Sequence, residues 1–199
     1  MQGVFSRSSL LSPMLYAAVQ HVTDELDRYV HLRTGNSDRV TLAALVDSAG
    51  DVNSDARDVI AVSLVNVEEE RVGRSMERYQ RTDDEQVRRV EPEIRLNLYL
   101  LFTANFTDHA EALKAVDEVV SFFQNTPFID YADVEGVEES GRMVFELVTL
   151  TFEQINHLWG ALGAKYAPSV LYKARLAAVD DARPEAPGPP VIEIEKRTG

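Results

Sequence analysis

Residues 59–67, VIAVSLVNV, are almost continuously apolar and β-branched, the composition of a strand covered on both faces. The charge run EEER, residues 68–71, is expected to end it abruptly. A second extended run occupies residues 94–104, with Leu96, Leu98, Leu100 and Phe102 on one face and Arg95, Asn97, Tyr99 and Leu101 on the other. Between the two, residues 72–91 are polar and show no period, so they read as a long loop that binds something or moves. Two long strands with no helix between them pair antiparallel. The fold class that follows is α+β: a single small domain whose mainly antiparallel or mixed sheet carries helices packed on it. The polar face in the first half of the second strand is expected to meet solvent or a partner subunit.

The remaining elements follow from period and punctuation. A helix is predicted over residues 13–33, capped by Ser12 and opened by Pro13, with Leu15, Ala18, Val19, Val22, Leu26, Tyr29 and Val30 on one face. Gly35 and Asn36 stop it. Residues 40–46 read as a short strand before a polar loop. A second helix spans residues 109–124, with Asp108 as cap, Glu111 three residues on, and an apolar stripe of Leu113, Val116, Val120 and Phe123 widened by Val119 and Phe122. Residues 128–131 form a short extended piece, 136–141 a loop and 143–150 a strand. Thr151 and Gln154 make a capping box for a short helix that presents Phe152, Ile155, Leu158, Trp159 and Leu162 to one side and ends at Gly163. A last strand follows Pro168. This divides the chain into an N-terminal arm (1–12), a domain (13–180) and a tail (181–199). In the tail, PEAPGPP reads as a spacer and VIEIEK, apolar and charged in alternation, as an edge strand added to a neighbouring sheet.

Composition removes several function classes. Lysine plus arginine number 20 against 33 acidic residues, a formal net charge of -13, and no basic patch works against that field, so neither nucleic acid nor an anionic membrane is an expected partner. Cysteine is absent, which excludes thiolate metal sites and a cysteine nucleophile. The N-terminal apolar stretch is too short and broken to span a bilayer and lacks a secretory cleavage pattern, so the product reads as cytoplasmic. No glycine-rich phosphate loop follows a strand and no GxSxG elbow occurs. His21, His31, His109 and His157 show no metal-ligand spacing. Glu68 and Glu70 share a face, where a solvated terminus or a salt-bridged interface accounts for them better than acid–base work. No catalytic residue, cofactor or metal is expected, and the chain reads as a structural assembly subunit.

Four blocks in order, VSLVNVEEER, LNLYLLFTANF, the segment around VDEVVSFFQNTPFI, and ELVTLTFEQINHLWGALGAKYAPSVLYKARL, resemble the tail-terminator, or tube-cap, family of contractile injection systems, the antifeeding-prophage and Photorhabdus-virulence-cassette type. The resemblance covers residues 15–179. It implies an architecture similar to phage tail terminators and a homo-oligomer, a six-membered ring, that caps the inner tube, stops its growth and engages the last sheath ring. The partners it implies are therefore copies of the chain itself, the inner-tube protein and the sheath protein, assembled in the cytoplasm into a particle open to release. The positions carried over are Asn66, Glu68, Glu69 and Arg71, then Asn97 and Asn105, then Asn156, His157, Trp159, Gly160, Gly163 and Lys165, as interface or structural residues. Residues 1–12 and 181–199 lie outside the shared blocks. The alternative is a monomeric adaptor that captures particle proteins through its tail, and behind it a hydrolase with a site assembled from distant residues.

Overall fold

The structure, a computed structural model, describes residues 11–70, 79–81, 87–89, 96–130 and 141–178. Helix α1 (Leu11–Thr34) is followed by strand β1 (Val40–Leu42), a 3-10 turn (Ser54–Ala56) and the long strand β2 (Val59–Glu69). Two short strands, β3 (Tyr79–Arg81) and β4 (Val87–Arg89), precede β5 (Leu96–Asn105), helix α2 (His109–Asn125) and β6 (Phe128–Asp130). Strand β7 (Gly141–Val148), helix α3 (Phe152–Leu162) and strand β8 (Ser169–Ala178) complete the order.

Six strands form one mixed sheet in the order β1-β2-β5-β8-β7-β6, in which β1 lies parallel to β2 and every other pair is antiparallel. The α+β expectation and the antiparallel pairing of β2 with β5 therefore hold. One face buries the larger core. Val22, Leu26, Leu98, Leu100 and Met143 are fully buried there, and α1 and α2 cover it. Phe123 sits at its aromatic centre, with ring centroids 5.2 Å from Phe102, 4.6 Å from Phe145 and 4.2 Å from Tyr172. Helix α1 touches both sheet edges: Asp27 Oδ1 accepts the amides of Arg39 (2.9 Å) and Val40 (3.0 Å) at β1, while His21 Nε2 lies 3.2 Å from the Asp130 carbonyl at β6. The sheet thus curls around the helix. A smaller core on the opposite face joins Leu45, Ala56, Ala61, Leu101, Trp159 and Leu171 beneath α3.

Local signals for the helix ends held at α2 and α3. Asp108 accepts from the Ala110 amide at 2.8 Å, and Thr151 and Gln154 form the complete capping box. Gly163 closes α3 at φ 66°, a left-handed conformation that costs glycine little. Several expectations need correction. Helix α1 starts at Leu11, so Ser12 is not its cap and Pro13 lies inside the first turn, where amides lack helical acceptors anyway. Glu111 completes no capping box at α2; it pairs with Lys114 and Arg39 instead. The acidic run does not end β2, which continues through Glu68 and Glu69, and only its first half is buried, because Leu64 to Glu68 run past the covering layers. The aperiodic stretch 72–91 contains the β3–β4 pair, which two three-residue strands are too short to announce by period. Leu113 and Phe152, both placed in apolar stripes, are 54% and 92% exposed. The arm and the tail lie almost entirely outside the described residues, Leu11 onward excepted.

Two outcomes test this packing. Phe123→Ala removes the ring that four others meet and is expected to cost about 3–5 kcal/mol in chemical denaturation, where a surface substitution costs under about 0.5. Asp58, at φ 53°, accepts both the amide (2.9 Å) and the hydroxyl (3.1 Å) of Thr107, clamping the start of β2 to the turn before α2. These hydrogen bonds, helped by Arg39 and Arg57, hold its carboxyl below the ordinary value. The charged form is therefore favoured in the folded chain, and its contribution is present above the ordinary carboxylate range and lost as pH falls through the lowered value. The stability gap between the wild type and Asp58→Asn should narrow between about pH 6 and about pH 3, measured by urea titration.

Candidate assembly interface

The face of the sheet that carries α3 is only half covered. Trp159 (6% exposed) plugs this smaller core and meets Tyr166 edge-on at 5.5 Å, so among the block residues it is an anchor of the fold. Its neighbours on the helix point the other way. Asn156, His157 and Gly160 are exposed, as is Lys165 beyond the helix, and a Cβ placed on Gly160 would meet nothing within 4 Å. Phe152 stands on the first turn of this outer side, almost wholly in water. Gly163 serves the helix end.

Beside α3 the strands present a polar ladder. A β-bulge between Leu64 and Asn66 resets the register of β2, so that Asn66 faces Tyr99 and Glu68 faces Asn97. The Tyr99 hydroxyl donates to Glu68 Oε2 at 2.7 Å, and that hydrogen bond, with burial and the nearby carboxylates, raises its pKa. Lys173 Nζ lies 4.0 Å from the same carboxylate oxygen and 5.9 Å from the Tyr99 ring. Arg175 of β8 pairs with Glu146 of β7, and at the edge Arg142 bonds Asp130 (2.7 and 3.1 Å) while its guanidinium stacks 4.1 Å above Phe128. Asn97, 1% exposed, donates to Glu70 Oε2 at 3.1 Å.

The predicted positions thus separate by their place in the fold. Asn66, Glu68 and Asn97 come together in the ladder, and Asn156, His157 and Gly160 share the outer side of α3 on the same flank. Asn105 is structural: its side-chain amide donates to the Ala56 carbonyl at 2.5 Å and ties the 3-10 turn to the end of β5. Glu69 faces the helix side in register with Leu96. Arg71 lies outside the described residues. Asn97 is buried and Tyr99 half-buried, while Asn66 and Glu68, which face them on β2, are exposed, so this face meets solvent on its β2 side. Lys173, Arg175 and Glu146 were missed by the sequence reading; their i, i+2 alternation in YKAR and the glutamate inside FELV were the available signal.

On the opposite flank, a shallow cleft between the end of α1 and the start of α2 is lined by Val30, Asn36, Arg39, Glu111, Lys114 and Glu118. Its charges are largely paired, Arg33 with Glu118 at 2.8 Å and Lys114 with Glu111 at 2.9 Å. Among the described residues no cluster of three or more His, Cys, Asp or Glu has the geometry to hold a metal ion. No described helix is long and apolar enough to cross a membrane.

The chain is similar to a sheath/tube terminator, in the extended state, of an extracellular contractile injection system: 16% identity, TM-score 0.47, covering 89% of this chain and 63% of that one. It is also similar to the tube-terminating cap of the anti-feeding prophage, with 15% identity, TM-score 0.50, and coverage of 89% and 60%. The chain therefore spans about three fifths of the length of the structures it matches. No curated protein matches it. A family model described as the Pvc16 N-terminal domain matches residues 17–193, nearly the whole chain, so the chain belongs to the Pvc16 N-terminal domain family, the tail-terminator family of contractile injection systems that its sequence blocks resemble.

Proposed function

We propose that this protein is a structural cap, not an enzyme, that terminates the inner tube of a phage-tail-like contractile injection system and engages the distal sheath ring. The family match across residues 17–193 carries this reading. In the same reading residues 13–180 are the capping domain, with 1–12 as an arm and 181–199 as a tail. Copies of the chain form a closed ring, six by resemblance, and it assembles in the cytoplasm onto a particle that is later released. A closed ring of head-to-tail contacts needs two different complementary surfaces on each subunit. The α3 flank supplies one with suitable chemistry: a bare aromatic ring, Phe152, on the first turn of the helix, a glycine with open space over it two turns further on, and a paired charge ladder on the same face of the sheet.

Electron microscopy of the protein mixed with its cognate tube protein tests the cap directly. Six-fold rings on tube ends and shorter tubes are expected; tubes of unchanged length with bare ends, from a tube protein that polymerises normally, reject it and leave the monomeric adaptor. The flank has its own test. Phe152→Ser is expected to alter subunit stability by less than about 0.5 kcal/mol, and Gly160→Ala to raise it by about 0.5–1, while both reduce ring formation measured by mass photometry. Rings that persist in both variants assign the subunit contact to another surface.

A further inference from the structure

The cleft between the end of α1 and the start of α2 has an apolar floor under a charged rim. Val30, Ile60 and Ala115 line it and are 3%, 1% and 6% exposed. Arg39 and Lys114 line it too, with side chains 28% and 73% exposed. The two cations share one carboxylate, Glu111, at 3.7 and 2.9 Å. Arg39 already lies against an aromatic ring, its guanidinium 4.5 Å from the centre of Phe106. The cleft volume is about 210 Å³, and an apolar cavity of about 150 Å³ holds a benzene molecule. A phenyl ring therefore fits.

Phe152, 92% exposed, is the barest large apolar side chain among the described residues, and Glu153 beside it is exposed as well. The cleft and this ring lie on opposite sides of the subunit. The cleft sits on the α1–α2 face beside β1 and β2, whereas α3 covers the other face and follows β7, three strand spacings or about 14 Å from β2. They also share a level along the strands. Val148, at the end of β7, is level with Leu171 and so with Leu101 of β5; Ile60 is level with Ala104, three residues further towards the same end. Phe152 begins α3 four residues past Val148. Head-to-tail contacts close into a ring, and not a filament, when the joined surfaces are related by rotation with no shift along the axis. Surfaces on opposite sides and at one level meet that condition for an axis along the strands.

We propose that Phe152 of one copy enters the α1–α2 cleft of the next copy in the ring, over Val30, Ile60 and Ala115 and against the Arg39 guanidinium, while Glu153 meets Lys114 of that next copy. The inference rests on the ring reading and names the second surface that reading requires. Shape and charge agree: a cation meets an aromatic ring, and a second carboxylate joins a cluster in which two cations share one.

The chain contains no cysteine, so single replacements report the contact. Full-length Glu153→Cys and Lys114→Cys proteins, which leave Phe152 in place, are mixed, assembled on tubes of the cognate tube protein and treated with a short bis-maleimide. A product linking one chain of each is expected. The facing pair Glu146→Cys with Lys173→Cys in one chain controls for the reagent. Rings on tube ends without the mixed product, while the control reacts, overturn the inference and leave the cap reading standing, as do linked dimers from either variant alone. Bare tube ends with the wild type reject that reading and the inference with it. Charge reversal gives a second readout by mass photometry. Glu153→Lys and Lys114→Glu are each expected to lower the assembled fraction about tenfold or more, and together to restore it. Single variants that assemble like the wild type, or a double variant no better than either single, overturn the inference as well.

Discussion

Strand β5 needs cover on both of its faces, and most of the architecture is the way that cover is supplied. Leu98, Leu100 and Phe102 point to one side and Asn97, Leu101 and Thr103 to the other, all at most 1% exposed. A strand like this sits in the middle of a sheet, hydrogen-bonded along both edges, with a layer above and a layer below. β2 and β8 take the edges. The two layers are unequal: α1 and α2 pack an aromatic-rich core on one face, whereas α3 and the segment around Leu45 and Ala56 cover only part of the other.

That inequality makes the α3 flank the side with unfinished business. Where α3 stops, apolar side chains give way to Tyr99, Glu68, Lys173, Glu146 and Arg175, which neutralise one another across four strands. Exposed ion pairs of this sort add little to stability, each worth under about 1 kcal/mol, so their arrangement says more about what the surface can meet than about how the subunit holds together. A ladder of paired charges next to one unburied aromatic ring suits a contact that forms after folding, because the subunit remains stable without it.

Helix α1 manages the edges. Its Asp27 carboxylate takes two backbone amides at β1 and its His21 ring approaches a carbonyl at β6, so a single helix braces the two outermost strands and sets the curl of the sheet. The bracing stops short of the far half of β2. There the strand continues beyond both the helix layer and its short parallel neighbour, and a bulge increases its local twist.

Much of this was readable in the chain before any folding, and the readable part has a common physical origin. The Asp108 cap, the Thr151–Gln154 box and the Gly163 stop are satisfied by partners within a few residues, so composition and spacing alone determine them. The long strands and their antiparallel pairing followed from period and from the lack of a helix between them. What lies opposite a side chain is a different matter. Trp159 and Phe152 read as members of one apolar stripe, yet the first is buried and the second almost bare. Leu113 lies to the side of the buried arc of α2 formed by Ala112, Ala115, Val119, Phe122 and Phe123, and the distal half of β2, apolar enough for a core, extends past the layers that would have covered it. Asn105 reaching the Ala56 carbonyl and Asp58 clamping Thr107 join positions 49 residues apart in sequence. The sequence by itself determined the caps and stops of α2 and α3 and the presence of the two long strands, since those signals are local; only the tertiary structure decided how far β2 runs, which faces are covered and which stay open, since burial depends on strand order and curl that no short stretch of chain encodes.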